Sequence, residues 1–175
     1  MHNLFEEGYI QIYTGDGKGK TTAAIGVSVR ALASGLSVFF GQFMKSRLAA
    51  EHTFFEQFPA IDLHRFGTGR FTRGKPSQQD VDKALEGWSI CKEAIISDKY
   101  DLIVLDELNV ALFMGLLEID PIIEILKQKP RQTEIIITGR RAPEKLIEIA
   151  DLVTEMLEIK HYYTKGVPAR KGIEE

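Results

Sequence analysis

The sequence has 175 residues, of which 44% are hydrophobic and 27% charged, a composition typical of an ordinary globular protein of one domain. The formal net charge of -3 disfavours a general nucleic-acid-binding surface, and the single cysteine, Cys91, excludes an internal disulfide framework. Neither a secretory leader nor a run of about 18 consecutive apolar residues is visible, so we expect a cytoplasmic protein without a membrane span.

The first predicted strand, residues 9–14, leads into a glycine-rich turn and then into an apolar helical pattern. Glycines let successive backbone N–H groups point at one anion, and the following helix directs the positive end of its dipole to the same place. Lys20 can add a charge for phosphate oxygens, and the Thr21 hydroxyl can ligate Mg²⁺. The pattern predicts a phosphate-binding loop, the P-loop, for a nucleoside triphosphate. Its residues are Gly15, Asp16, Gly17, Lys18, Gly19, Lys20, Thr21 and Thr22.

One position departs from the standard pattern G-x-x-x-x-G-K-[ST], because Thr14 stands where the first glycine belongs. The alternative interpretation is a glycine-rich β-turn before a helix, with lysines that are merely solvated. We favour the nucleotide site, since the turn lies between a strand and a helix and ends in Lys-Thr.

A second buried strand, residues 36–43, is followed by polar side chains. In an open α/β sheet the ligand lies beyond the carboxyl ends of the strands, so Gln42, Lys45 and Ser46 are predicted to face the site. A polar strand exit without a role is an equal alternative for each of them.

A third strand, residues 61–66, precedes a long loop, 67–76, in which Phe71 lies among positive charges. Such a loop suits an anionic or large flat ligand, and a disordered surface loop is the alternative. Ser77 and Asp80 then form a capping box that predicts the start of a helix. This helix is expected to bury one stripe, made of Val81, Leu85, Trp88, Cys91 and Ile95.

The fourth predicted strand, residues 101–106, ends in two acidic residues, Asp106 and Glu107. Hydrophobic residues followed by two acids match the Walker B pattern, in which one carboxylate orients Mg²⁺ or its water shell and the other is free for a second role. Asp-Glu also follows many buried strands by chance. With a phosphate loop upstream, we predict that both residues belong to the site.

The rest of the chain continues the alternation of helices and strands. Asp120 and Pro121 are suited to the N-cap and first position of a helix that reaches residue 129. A fifth strand, 134–138, brings Arg140 to the same edge of the sheet, where it can reach nucleotide or remain solvated.

Pro143 is expected to begin one more helix, and residues 152–159 could form a last strand. Alternating strands and helices predict an α/β fold, a P-loop NTPase-like parallel sheet of five or six strands with helices on both faces. We expect one domain, 1–175, with a short N-terminal arm, 1–8, and a C-terminal arm, 160–175.

Absent motifs narrow the chemistry. The sequence has no Asn-Lys-x-Asp guanine motif, which disfavours a GTPase, and no Gly-x-Ser-x-Gly elbow. Its four histidines lack metal-ligand spacing. The predicted machinery is that of a triphosphate and Mg²⁺ site, and the second substrate must be recognised elsewhere.

Five motifs of the sequence are informative when they are taken together. They are TGDGKGKTT at 14–22, QFMK at 42–45, LDEL at 105–108, ITGR at 137–140 and the tail motif KHYYTKGVPARKGIE at 160–174. Together they resemble the P-loop type of the ATP:corrinoid (cob(I)alamin) adenosyltransferase family. A threonine in place of the first Walker glycine is itself typical of that family, and generic ATPases do not carry the tail motif.

The resemblance implies an enzyme that transfers the 5′-deoxyadenosyl group of ATP to the reduced cobalt of a corrinoid and releases triphosphate, in adenosylcobalamin synthesis or salvage. It implies ATP and a corrinoid as substrates, Mg²⁺ as a cofactor, a reductase as a partner, a homodimer, and no nucleic-acid or membrane partner. The catalytic residues it implies are Lys20, Thr21 and Glu107. It implies ATP contacts by residues 15–22 and Arg140. Mg²⁺ would be held by Thr21 and Glu107 with Asp106 in support, and the corrinoid would contact Phe71, Arg70, Gln42 and Lys45.

Two features depart from the family pattern. Members commonly have an N-terminal arm over the active site, whereas only residues 1–8 precede the first strand here. The family's loop often has a tryptophan near Thr-Gly-Phe-Thr, whereas 68–73 read Thr-Gly-Arg-Phe-Thr-Arg. The alternative functions are a P-loop kinase or hydrolase that cuts at the γ-phosphate and a non-catalytic ATP-binding regulatory module.

Overall fold

Six strands form one sheet in the computed structural model of the chain, which describes residues 6–68 and 75–174. They are β1 (Ile10–Thr14), β2 (Val38–Phe43), β3 (Ile61–Phe66), β4 (Leu102–Asp106), β5 (Glu134–Thr138) and β6 (Leu152–Glu155). The order across the sheet is β3-β2-β4-β5-β1-β6, and every neighbouring pair is parallel. The predicted parallel sheet is confirmed.

Helices alternate with these strands and cover both faces of the sheet. They are α1 (Lys20–Ala33), α2 (Ala50–Phe55), α3 (Gln78–Ile96), α4 (Leu108–Phe113), α5 (Ile119–Leu126) and α6 (Glu144–Glu148). Leu102 packs in a core with residues of α1 and α2, whereas its neighbour Ile103 packs in a second core with residues of α3, α4, α5 and α6. Successive strand residues point to opposite faces, so the two cores lie on the two sides of the sheet.

Helix α3 packs on the sheet through small residues. A Cβ built on Gly87 would lie 2.3 Å from the Phe66 ring of β3, so only glycine permits this approach. The predicted buried stripe is correct for Cys91 and Ile95 and wrong for Leu85, which is 52% exposed. Close packing through the small side chains turns the helix so that Leu85 points away from the core. The buried residues of α3 are Ala84, Gly87, Cys91, Ala94 and Ile95.

Other differences concern short elements and element ends. Helix α4, which follows β4 directly, was not predicted, because six residues are too few to show a helical period. Glu118, not Asp120, is the N-cap of α5, so Pro121 lies in its first turn, where a missing N–H is tolerated. β6 ends at Glu155 rather than at residue 159, and as an edge strand it pairs only with β1.

The parallel sheet collects three chain segments at one edge. The P-loop follows β1, Asp106 ends β4 and Glu107 lies between β4 and α4, and residues 139–141 follow β5. β5 lies between β1 and β4, so its carboxyl end separates the carboxyl ends of these two strands.

Across residues 6–68 and 75–174, every helix is too short or too polar to cross a membrane. The division into one domain with arms at 1–8 and 160–175 stays a prediction.

Candidate functional site

The P-loop forms a tight turn between β1 and α1. Gly15 and Gly19 have φ angles of 90° and 120°, which are left-handed values that favour glycine. Gly19 is also the N-cap of α1 and has no side chain to cover the first N–H groups of the helix. The amino end of α1 and the backbone of the loop are thus arranged as in an anion-binding site.

Two glycines of the loop are needed for contact with the segment that follows β6. A Cβ on Gly15 would lie 2.4 Å from the Met156 carbonyl oxygen, and one on Gly17 would lie 2.7 Å from the same atom. The Gly17 N–H donates a hydrogen bond of 2.7 Å to that carbonyl. The residues after the edge strand therefore support the P-loop from outside, which the glycine spacing alone could not reveal.

Thr14, which replaces the first glycine of the standard motif, has a structural role. Its side-chain oxygen accepts a hydrogen bond of 3.2 Å from the backbone N–H of Ala142, in the turn between β5 and α6. The residue is only 9% exposed. A glycine could not tie the start of the loop to this turn.

The Lys20 ammonium group lies inside the loop. It donates hydrogen bonds of 2.7 Å to the Gly15 carbonyl and 2.6 Å to the Gly17 carbonyl, and the residue is 6% exposed. Burial lowers the pKa of Lys20, while the nearby Glu107 carboxyl acts in the opposite direction. An ammonium group has three donors, so one remains for a phosphate oxygen while two hold the loop.

The Asp106 carboxylate is buried where three elements meet. One of its oxygens accepts a hydrogen bond of 2.8 Å from the Thr21 hydroxyl of α1 and another of 2.6 Å from the Thr138 hydroxyl of β5. Its second oxygen accepts from the Gln42 amide of β2 at 3.0 Å. The residue is 1% exposed, so its position is fixed by these contacts.

Glu107 is the N-cap residue just before α4 and has a left-handed conformation, with φ of 59°. Its backbone N–H donates to the Thr138 hydroxyl at 3.0 Å, while its side chain lines the same cavity as Lys20 and Thr21. Burial raises the pKa of Glu107 to about 7, and the charge of Asp106 is the second cause of this rise. The Asp-Glu pair thus consists of one hydrogen-bonded carboxylate and one carboxyl group that titrates near neutral pH.

This raised pKa predicts that Glu107→Gln stabilises the metal-free protein at high pH. A carboxyl group with a folded-state pKa of about 7 and an ordinary pKa of 4.5 binds more protons when folded, so the free energy of unfolding falls as pH rises between these values. Glutamine does not ionise. The difference in free energy of unfolding between the variant and the wild type should therefore grow in favour of the variant by roughly 1–3 kcal/mol from about pH 5 to about pH 8. Urea unfolding in a chelator measures the gain, and an equal difference at both pH values would contradict the expectation.

Hydroxyl and carboxylate oxygens make this site suitable for Mg²⁺. Mg²⁺ is usually held by one or two carboxylates together with phosphate oxygens and water. Thr21 and Glu107 have oxygen atoms of these kinds in the cavity beside the P-loop, and the Asp106 carboxylate is hydrogen-bonded to Thr21. In the described ranges no cluster of three or more His, Cys, Asp or Glu residues could hold a metal ion, so an all-protein cage is not available there.

The C-terminal tail closes one side of the cavity. It contains a 3₁₀ helix, Tyr162–Lys165, and its residues His161, Ile173 and Glu174 line the cavity with the P-loop, Glu107 and Arg140. Lys18 of the P-loop donates to the Tyr162 hydroxyl at 3.0 Å and to the Glu174 carboxylate at 2.8 Å. These contacts link the tail to the loop.

Around Glu174 the charges are tightly grouped. Arg170 donates a hydrogen bond of 3.0 Å to the Glu174 carboxylate, and the Tyr162 hydroxyl donates another to the same carboxylate. Hydrogen bonds from Arg170, then from Lys18 and Tyr162, hold the pKa of Glu174 well below its usual range. The sequence motif at 160–174 therefore forms a local network against the phosphate loop.

The remaining predicted site residues lie in different environments. Asp16 and Arg140 form an exposed ion pair of 3.5 Å, and Arg140 also lines the cavity. Lys45 pairs with Glu51 at 2.7 Å, and Gln42 is fully buried, so in this structure it has no surface to offer a corrinoid. Predicted corrinoid contacts by Arg70 and Phe71 lie outside the described residues.

Several contacts within the site were not predicted from the sequence, although Gln42 itself was expected to face the site. Thr138 and Gln42 hold Asp106, while Tyr162 and Glu174 hold Lys18. Thr138 could have been found, because a hydroxyl at the end of the strand beside Walker B must lie near its carboxylate. For the tail residues no local signal of position exists.

Comparison with known proteins gives a consistent result. A family model described as "ATP:corrinoid adenosyltransferase BtuR/CobO/CobP" matches residues 6–174. The corrinoid adenosyltransferase of Pseudomonas aeruginosa is 37% identical over 171 residues, which cover 97% of this chain and 84% of the relative. Proteins of the same name from Sinorhizobium sp and Escherichia coli K12 are 36% and 31% identical, over 97% of this chain in each case and over 81% and 86% of the relatives.

Proposed function

The chain belongs to the ATP:corrinoid adenosyltransferase family, and from this premise we propose that it transfers the 5′-deoxyadenosyl group of ATP to the reduced cobalt of a corrinoid. One structural observation carries the proposal beyond a general nucleotide site. The tail motif, which generic P-loop proteins lack, lines the same cavity as the P-loop and is bonded to Lys18. The segment that distinguishes the family thus lines the cavity that we propose as the phosphate site.

The reaction needs no nucleophile from the protein. The electron pair of the reduced cobalt forms the bond to C5′ of ATP, the C5′–oxygen bond breaks, and the triphosphate leaves with its electron pair. The cobalt is oxidised by two electrons as the cobalt–carbon bond forms. The protein has to hold C5′ exposed to the corrinoid and to stabilise the charge on the departing triphosphate.

The described residues are suited to the second task. Lys20 carries its charge inside the loop, and the amino end of α1 faces the same space. We propose that Thr21 and Asp106, with Glu107 beside them, hold Mg²⁺. When bound, Mg²⁺ would neutralise further charge on the phosphates. Lys18 and Arg140, which line the cavity, are proposed as additional phosphate or nucleotide contacts.

Contacts to the corrinoid are a separate proposal. Lys45 lies at the carboxyl edge of β2 and is partly exposed, so it can face a large anionic ligand once it leaves Glu51. Arg70 and Phe71 remain predictions from the sequence. A reductase that supplies the reduced corrinoid, a homodimer and a cytoplasmic location are likewise our expectations for this chain.

One observation favours a second candidate function. A carboxyl group with a pKa of about 7, as at Glu107, can act as a general base for water or a hydroxyl at the γ-phosphate. A kinase or hydrolase is therefore the alternative. Adenosyl transfer and cleavage at the γ-phosphate differ in the bond of ATP that breaks and in the need for a corrinoid.

Absorbance spectroscopy tests the proposed function directly. The protein is incubated with ATP, Mg²⁺ and chemically reduced cobalamin, and the spectrum is followed for the appearance of an organocobalt product. We expect the product only when ATP is present and the cobalt is reduced. Consumption of ATP at an equal rate without any corrinoid would favour the hydrolase instead.

A further inference from the structure

A chain of buried hydrogen bonds starts at the Asp106 carboxylate, and its members do not line the cavity. It passes through Gln42 at the end of β2 and reaches His52 in α2, and all three residues are at most 1% exposed. Building on the proposed Mg²⁺ site, we propose that His52 is a positioning residue, which acts through Gln42 to hold Asp106 in the orientation that receives the metal ion.

The tautomer of His52 follows from its partners. The backbone N–H of Ala49 lies 2.7 Å from Nδ1 of His52, and because an N–H can only donate, Nδ1 must be the acceptor. The Ala49 carbonyl is also near Nδ1 but farther away, at 3.2 Å. The proton of the neutral ring is therefore on Nε2. Burial lowers the pKa of His52, which favours the neutral ring.

This tautomer in turn fixes the Gln42 amide. Nε2 of His52 lies 2.5 Å from the Gln42 side-chain oxygen, so the imidazole donates and the amide oxygen accepts. The amide nitrogen must then face the other way, where it donates to Asp106 at 3.0 Å. A rotated amide would place its oxygen against the Asp106 carboxylate and its NH₂ group against the His52 N–H, and both contacts are repulsive.

The Asp106 carboxylate is consequently held from both sides. Gln42 holds one oxygen, while the Thr21 and Thr138 hydroxyls hold the other. Without the His52 proton the Gln42 amide loses the contact that sets its direction, and the carboxylate loses a defined donor. Since partners of this kind usually change metal affinity by about 10–100-fold, we expect the effect to show in the Mg²⁺ requirement.

Nitrogen NMR of isotopically labelled, metal-free protein tests the first step. The imidazole shifts of His52 should show a neutral ring protonated on Nε2, and the Gln42 side-chain protons should be protected from exchange. A ring protonated on Nδ1 would overturn the inference. This readout does not depend on nucleotide, Mg²⁺ or corrinoid.

Variants test the second step through calorimetric titration of ATP at increasing Mg²⁺. His52→Phe removes the donor and should raise the Mg²⁺ concentration for half-maximal binding about tenfold, whereas His52→Gln keeps a donor and should stay within about threefold of the wild type. Gln42→Leu should be affected at least as strongly as His52→Phe. Because His52 acts only through Gln42, adding His52→Phe to Gln42→Leu should cause no further change.

His64→Phe is the matched control, since this histidine stacks on Phe39 at 5.2 Å and contacts a different part of the core. It should leave the Mg²⁺ requirement unchanged, and circular dichroism confirms that each variant is folded. Additive effects of His52→Phe and Gln42→Leu, or an unchanged Mg²⁺ requirement in His52→Phe, would overturn the inference. If the wild type bound ATP equally with and without Mg²⁺, the metal site of the proposed function would be contradicted, while the NMR result would still decide the His52–Gln42 arrangement.

Discussion

Replacement of Lys20 by alanine should weaken ATP binding by about 100-fold, since a hydrogen bond to a charged group contributes about 1.5–3 kcal/mol and the P-loop loses the positive charge that it holds inside. In addition, Lys20 holds the Gly15 and Gly17 carbonyls at 2.7 and 2.6 Å, so its removal also loosens the loop. Both effects act on the triphosphate end of the nucleotide. Isothermal titration of ATP with Mg²⁺ measures the loss.

Lys145→Ala is the matched control for the loss of one lysine charge. Lys145 is an exposed residue of α6 that pairs with Asp120 at 2.6 Å, and exposed pairs contribute little to stability or to distant binding sites. The affinity of the Lys145→Ala variant for ATP should equal that of the wild type. Equal affinities of Lys20→Ala and the wild type would place the triphosphate elsewhere on the molecule.

Asp106→Asn should lower Mg²⁺-dependent turnover by roughly 100-fold while the protein remains folded. Asparagine is nearly the same size, but it carries no charge for Mg²⁺ and offers an NH₂ group where the carboxylate oxygen accepted from Gln42 at 3.0 Å. Two NH₂ groups then face each other in a buried position. The oxygen that accepts from Thr21 and Thr138 can be kept, so the surrounding fold is preserved. Turnover measured against Mg²⁺ concentration tests this.

Asp101→Asn is the corresponding control, because it makes the same chemical change just before the opposite end of β4. Asp101 accepts hydrogen bonds from the Ser37 backbone at 2.8 Å and from the Ser37 hydroxyl at 2.7 Å, far from the carboxyl edge. The Asp101→Asn variant should have a lower free energy of unfolding than the wild type but the same Mg²⁺ requirement. A loss of turnover as large in Asp101→Asn as in Asp106→Asn would indicate a general effect on the fold.

The features that the sequence predicts well are those with a local physical cause. The strands predicted at 61–66 and 134–138 coincide with β3 and β5, and the glycines at 15 and 19 adopt the left-handed conformations that the P-loop requires. The position of Asp106 at the end of a buried strand was also predictable, since parallel strands in such sheets end at one edge.

Features that depend on distant contacts were not predictable. The environment of Gln42 is set by Asp106, 64 positions away, which turns a predicted ligand contact into a buried partner of the Walker B carboxylate. Lys18 meets Glu174 across 156 positions, and no periodicity reports such a contact. The sequence places Gly17 in a tight turn, but the Met156 backbone lies so close to it that a side chain would not fit. The need for glycine at this position therefore comes from a distant contact.

The identity of the leaving group tests the central claim most directly. Phosphorus NMR and mass spectrometry of the products, after incubation with ATP, Mg²⁺ and reduced cobalamin, show which bond of ATP has broken. Attack at C5′ predicts inorganic triphosphate in amounts equal to the organocobalt product, and neither product when the cobalt is left oxidised. Formation of ADP and orthophosphate in stoichiometric amounts, without organocobalt absorbance, would contradict adenosyl transfer and support cleavage at the γ-phosphate.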